Sequence, residues 1–300
     1  MSSRQHKTPT QIFSRLTHRT LRTSLGKHLS ARLGRDPMPD RWVFILGCYN
    51  SGTTLLHTML AEHPCIGALQ YEGVSLTDQL PRPEEHGWPR MWCQCETAME
   101  VQSPRGLAYS ADRIKRQWSM SIPRGKNIII EKSIANACRI PFLSEYFQPV
   151  TFIHIIRNGY AVAEGIRRKT KPKLSGNTDY RENYSIGLCA EQWRRADELI
   201  TRHLTKQHHL QLYYEELCRD PVGEINRVTN LLELDPMQSN VSESQWHVHG
   251  VSGRIVNMNE SSISRLSEDD IDAIRMVAGD RLDIHHYTTP RAQIAHGVSA

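Results

Sequence analysis

Short uninterrupted apolar runs alternate along the chain with longer stretches in which apolar residues recur every three or four positions. The runs are "WVFIL" (42–46), "NIIIEK" (127–132) and "VTFIHII" (150–156). Continuous β-branched and aromatic runs of this length fit strands buried on both faces. Each leads into a helical pattern: Leu55, Leu56, Met59 and Leu60 after the first, residues 139–146 after the second and 159–169 after the third. Cys189, Trp193, Ala196, Ile200 and Leu204 then step along one face of a long helix. "LQLYYEEL" (210–217) reads as a further strand and the 271–278 region as a further helix. Alternation of this kind predicts an α/β fold, a central parallel sheet flanked by helices. Residues 74–90 and 238–259 lack regular periodicity. Long irregular stretches in a compact domain are commonly lids or binding loops.

With 300 residues and 39% hydrophobic content, the chain has room for one large domain or two small ones. No apolar run approaches the ~20 residues that span a bilayer, and the N-terminus lacks the apolar core of a signal peptide. The seven cysteines are scattered without a C-x-x-C, so reduced thiols in a cytoplasmic setting are expected. Cys93 and Cys95 with His247 and His249 are too sparse a set to argue for zinc, and no metal is expected.

The charge is unevenly spread. Of 37 Lys and Arg, eight precede Asp36, the first acidic residue, which leaves 29 against 32 Asp and Glu in the remainder. A basic N-terminal segment (1–40) therefore precedes the main domain (41–300), and "DPMPD" closes it. Leu21, Leu25, Leu29 and Leu33 recur every fourth residue within it, as on one helical face. It reads as a surface helix or frayed arm; the alternatives are peripheral contact of residues 1–35 with anionic lipid, or an acid-poor transit peptide. The domain itself carries no positive stripe, so no nucleic-acid partner is expected.

The candidate chemistry begins at "GCYNSGTTLL" (47–56), where Gly47 and Gly52 show the G-x-x-x-x-G spacing of a phosphate loop. A strand ending on glycine and turning into a helix aims successive N–H groups, and the positive end of the helix dipole, at one point. Thr53 stands where a nucleotide triphosphatase has its lysine, so the loop is poorly equipped for a triphosphate and its magnesium. It remains equipped for one phosphate ester.

"FILGCYNSGTTLLHTMLAEHP" (44–64) resembles the 5′-phosphosulfate motif of sulfotransferases that use 3′-phosphoadenosine-5′-phosphosulfate. "FIHIIRNGYAVAEGIRRK" (152–169) is similar to the family's 3′-phosphate strand and helix. "IEKSIANACRIPFLSEYF" (130–147), "EQWRRA" and "LYYEEL" resemble later elements of the bacterial and tyrosylprotein-type members. Four ordered motifs span about residues 41–235, and they imply the family's phosphate-loop-like architecture and that co-substrate, without metal.

By this resemblance, Asn50, Ser51, Gly52, Thr53 and Thr54 hold the 5′-phosphosulfate, and Arg157 the 3′-phosphate, with Gly165, Lys169 and Tyr214 at further nucleotide positions. Lys132 approaches the bridging oxygen of the leaving group; the alternative is a lysine paired with Glu131. Glu72 takes a proton from the acceptor hydroxyl; the alternative is a solvated surface carboxylate. Two positions depart from the family: Asn50 stands where Lys or Arg precedes S-G-T-T, and Gly165 where Ser is usual. Either another cation compensates or activity is lost. The expected activity is sulfuryl transfer to a hydroxyl on a glycan, glycolipid, small metabolite or protein tyrosine. The rivals are a catalytically degenerate nucleotide-binding protein and a phosphate-loop kinase. The acceptor and the oligomeric state are not encoded in these motifs.

Overall fold

The computed structural model describes residues 19–180, 182–237, 246–248, 251–253 and 255–290. Five strands form one parallel sheet: β1 (Arg41–Leu46), β2 (Ile66–Ala68), β3 (Ile128–Glu131), β4 (Val150–Ile156) and β5 (His209–Tyr213). Their spatial order is β2-β3-β1-β4-β5. The helices are α1 (Ser24–Leu33), α2 (Thr53–Leu60), α3 (Leu107–Ser119), α4 (Ile140–Tyr146), α5 (Gly159–Lys169), α6 (Ile186–Leu204), α7 (Tyr214–Arg219), α8 (Pro221–Leu231), α9 (Asn259–Ile263) and α10 (Glu268–Ile284). The α/β expectation and its parallel sheet hold.

Strand periodicity divides the core into two layers, because successive side chains leave a strand on opposite faces. Trp42, Phe44 and Leu46 of β1 join Ile129 and Phe152 on one face. Val43 and Ile45 join Ile128, Ile130, Ile153 and Ile155 on the other. Continuous apolar runs were therefore needed in the central strands, since both faces are covered. The first layer centres on Phe147, whose ring lies edge-on to Trp42 (5.1 Å) and Phe44 (5.5 Å). Such pairs add about 0.5–1.5 kcal/mol each beyond their burial.

Three local readings are adjusted. The 210–217 segment is a strand only to Tyr213; Tyr214 then opens the short helix α7, so the acidic pair Glu215–Glu216 falls in a helical first turn. Helix α3, whose apolar spacing passed unnoticed in the sequence, buries Ala111, Ile114 and Trp118 against the first layer. Of the irregular 238–259 stretch, the described parts include a hairpin of β6 (Trp246–Val248) and β7 (Val251–Gly253). His249, one of the four residues of the weak zinc set, lies outside the described residues, and no metal-ligating cluster is found among those described.

The N-terminal segment is partly folded onto the body. Helix α1 buries Gly26 and Ser30, and Gln117 of α3 donates to the Lys27 carbonyl at 3.0 Å. The leucine stripe faces the opposite way: Leu21 is buried, but Leu25, Leu29 and Leu33 are 68%, 44% and 72% exposed.

Below the sheet edge, Asp197 of α6 joins three elements. It accepts hydrogen bonds from Arg281 Nε (2.6 Å) and His285 Nε2 (2.9 Å), and His154 of β4 stands 3.8 Å away. Burial alone would raise the Asp197 pKa, but the His285 hydrogen bond and the charges of His154 and Arg281 hold it below its ordinary value. Burial pulls His154 down to about 4 despite Asp197, and pulls His57 of α2 down to about 3 with help from Lys132.

These shifts set an acid limit on stability. All three folded-state pKa values lie below their unfolded ones, so the unfolded chain binds more protons and stability falls with falling pH. The histidine contribution is complete above about pH 6.5 and is lost as the pH drops through about 4. Urea midpoints measured from pH 7.5 to 4 should therefore fall below pH 6.5, and His154→Gln should flatten that dependence.

Candidate active site

Parallel strands place all their C-terminal ends on one edge, and the residues following them form a row. In spatial order, β2 leads to Glu72, β3 to Lys132, β1 to the 47–54 loop, β4 to Arg157 and β5 to Tyr214. The chain switches direction at β1, whose neighbours are β3 and β4. Residues separated by more than a hundred positions, such as Asn50 and Arg157, thus become neighbours through register: Leu46 pairs with His154.

The loop at the centre is tightly formed. A Cβ on Gly47 would meet the Ile155 carbonyl at 2.6 Å, so only glycine lets β1 turn against β4. Gly52 has φ +93°, and a Cβ there would lie 2.6 Å from the Tyr214 ring. Helix α2 starts at Thr53 with no side chain capping it, leaving its first N–H groups to an outside acceptor. Ser51 is 1% exposed, yet its hydroxyl has no hydrogen-bond partner among the described residues.

Arg157 leaves β4 and turns to this loop. Its Nη1 donates to the Asn50 carbonyl at 2.7 Å and its Nε to Asn259 Oδ1 at 2.7 Å, while Nη2 is buried without a partner. The guanidinium lies 4.3 Å from the centre of the Tyr214 ring, a cation–π contact worth about 1–2 kcal/mol when desolvated. Burial lowers the Arg157 pKa, and Tyr214 and Glu215 oppose that shift. Glu215 locks the surroundings: its carboxylate accepts from Asn158 N–H (3.0 Å), Asn259 Nδ2 (2.6 Å) and Tyr287 Oη (3.1 Å). A buried guanidinium donor and a buried hydroxyl, both unpartnered and both at the loop, suit an anion with several acceptor oxygens.

Lys132 and Glu72 meet on the other side of the loop, with Nζ 3.2 Å from Oε1. The lysine is not paired with Glu131. That carboxylate is fully buried and accepts from Gly73 N–H (2.7 Å), Ser133 N–H (2.7 Å) and the Asn136 side chain. Burial raises its pKa, against the hydrogen bonds from Ser133 and Gly73. Val74 N–H donates to Ser133 Oγ (3.0 Å), and Trp118 Nε1 to the Gly73 carbonyl (3.0 Å). Glu131 therefore pins the segment that carries Glu72. A cavity of about 240 Å³ opens beside Glu72, lined also by Arg22, Tyr49, Tyr71, Val74 and Ile134.

Gly165 and Lys169 lie on α5, which starts just after Arg157. A Cβ on Gly165 would come 3.0 Å from Asn50 Nδ2, so the two unusual positions are in contact. Lys169 keeps solvent contact, but nearby atoms displace enough water to lower its pKa, followed by the charges of Arg90, Arg168 and Arg157. Arg90 was missed in the sequence. It ends the aperiodic 74–90 segment and donates to Asn50 Oδ1 at 2.9 Å. Nothing local marks it; only the absent cation at position 50 pointed to a substitute.

Comparison with known proteins places this geometry among relatives. A family profile described as "Sulfotransferase family" matches residues 42–238. A putative protein-tyrosine sulfotransferase of Caenorhabditis briggsae is 25% identical over 229 residues, covering 75% of this chain and 75% of that protein. The omega-hydroxy-beta-dihydromenaquinone-9 sulfotransferase Stf3 of Mycobacterium tuberculosis is 22% identical over 255 residues, covering 68% of this chain and 65% of its own. Among solved structures, sulfotransferase STF9 from Mycobacterium avium is similar with a TM-score of 0.52 at 15% identity, covering 88% of this chain and 81% of that one. At that identity the likeness speaks for the fold alone.

The Glu131 arrangement can be tested directly. Every polar contact of this carboxylate comes from a donor, so an amide in its place would set N–H against N–H. Glu131→Gln should cost about 1–3 kcal/mol, read as a lowered urea midpoint with the slope unchanged.

Proposed function

The chain belongs to the sulfotransferase family, and from that premise we propose that it moves a sulfuryl group from 3′-phosphoadenosine-5′-phosphosulfate to an acceptor hydroxyl. One observation carries the site assignment: Glu72, Lys132, the anion loop and Arg157 follow one another across a single sheet edge. Acceptor, leaving group and the donor's distal phosphate would need that same sequence of functions.

In this reading the N–H groups of 51–54 and the Ser51 hydroxyl hold the 5′-phosphosulfate. Arg157 holds the 3′-phosphate with its free Nη2, on the shelf of Tyr214, with Lys169 nearby. A guanidinium matches a phosphate dianion with paired, charge-assisted hydrogen bonds. The donor supplies an electrophilic sulfur. The acceptor oxygen bonds to it as the bond to the bridging oxygen breaks, and the nucleotide leaves as a bisphosphate.

Glu72 takes the acceptor's proton. It borders the 240 Å³ cavity, which gives the acceptor a place within its reach. Lys132 stands between Glu72 and the loop, where a cation meets the charge growing on the leaving oxygen. The contribution of the protein is positioning and electrostatics. A triphosphate-using kinase is disfavoured by Thr53 at the lysine position.

The exposed leucines of α1 favour peripheral contact of this segment with an anionic membrane. The same segment carries Arg22, Lys27, Arg32 and Arg35, with no acidic residue before Asp36. No helix among the described residues is long and apolar enough to cross a membrane.

Two measurements check these roles. In a sulfate-transfer assay against an extract-derived acceptor, Lys132→Ala and Glu72→Gln should each lower kcat by about a hundredfold or more; wild-type rates in both would sink the assignment. In flotation with phosphatidylserine vesicles, the wild-type chain should float at low salt, and Leu25→Ser with Leu29→Ser should leave it at the bottom. Equal flotation of both proteins would remove α1 from the contact.

A further inference from the structure

Two like charges converge on one residue. Arg157 donates to the Asn50 carbonyl and Arg90 to the Asn50 side-chain oxygen, at 2.7 and 2.9 Å. Neither arginine has a carboxylate within ion-pair distance among the described residues. Arg157 Nη2, Arg90 Nε and Asn50 Nδ2 are all buried and without a hydrogen-bond partner there. Three unpartnered donors and two cations without an ion-pair partner in one place are costly unless a multiply charged anion joins them.

The backbone is arranged to bring them together. Asn50 has φ +64° and Arg90 φ +58°, both left-handed, which costs an arginine about 1–2 kcal/mol. Asparagine tolerates this region better than lysine or arginine does. Its amide occupies the space above Gly165, where a Cβ would meet Cγ at 3.1 Å and Nδ2 at 3.0 Å. A serine at 165 would therefore press on the Asn50 amide, which would have to give way by a few tenths of an ångström. Arg90 is steadied by Tyr49, whose ring centre is 5.2 Å from its guanidinium carbon.

We propose that Arg90, held by Asn50 across Gly165, is a second charged donor to the same phosphate monoester as Arg157. The inference rests on the nucleotide reading given above. Asn50 Nδ2 takes the place of a serine hydroxyl as a neutral donor, and Arg90 adds a charged one beside it. Asn50, Gly165 and Arg90 are then one compensated unit. The ligand is the 3′-phosphate of the nucleotide, because Asn50 Nδ2 faces α5 and Arg157 lies on the same side.

Calorimetric titration of the full chain with adenosine 3′,5′-bisphosphate and with adenosine 5′-monophosphate tests this. Arg90→Ala should weaken the bisphosphate by about ten- to a hundredfold, the range for losing a charge-assisted contact. It should leave the monophosphate within about twofold. Arg90→Lys, which keeps the charge, should stay within about tenfold of wild type and guards against a folding defect, checked by circular dichroism. Equal bisphosphate affinity in wild type and Arg90→Ala, or equal losses for both nucleotides, would overturn the role of Arg90 alone. Failure of the wild-type chain to bind the bisphosphate would overturn the nucleotide reading and this inference with it.

Discussion

Five parallel strands ending on one edge are the constraint from which the rest follows. A strand end offers position without reach, so a row of ends presents side chains at intervals of about 4.8 Å. The order β2-β3-β1-β4-β5 decides which chemistry stands beside which. Because β1 is flanked by β3 and β4, its loop receives Lys132 from one side and Arg157 from the other. No long-range folding of flexible segments is needed to assemble the centre of the site.

Two carboxylates brace the segments on either side of this centre. Glu131 ties the Glu72 segment to the end of β3, and Glu215 ties Asn158, Asn259 and Tyr287 around Arg157. Each carboxylate accepts three or more hydrogen bonds, and an acceptor so satisfied is held in place because losing any one donor leaves a group unpaired. Electrostatic catalysis depends on that rigidity, since groups already oriented need not reorganise as charge develops.

Much of the fold was legible because the central strands must be apolar on both faces and the glycines of the loop admit no side chain. Gly47 and Gly52 announce a close turn in any reading, and the structure gives each a specific neighbour, Ile155 and Tyr214. The end of β5 was less legible: "LQLYYEEL" is uniformly compatible with a strand, and only its tertiary neighbours turn Tyr214 into a helix start. Glu131 was invisible because a carboxylate beside a lysine reads as an ion pair, whereas its partners lie 58 residues away and at Asn136. Arg90 was equally hidden. Its segment has no periodicity, and its meaning depends on Asn50 and Gly165, which read singly as losses and together as a matched contact.

The central claim is that the sheet edge orders the donor from its reacting end at Lys132 to its distal phosphate at Arg157. A crystal structure of the chain soaked with adenosine 3′,5′-bisphosphate tests it most directly. The 5′-phosphate should lie on the N–H groups of 51–54 with Lys132 beside it, and the 3′-phosphate on Arg157. A nucleotide bound in the reverse sense, or away from the 47–54 loop, would contradict the account.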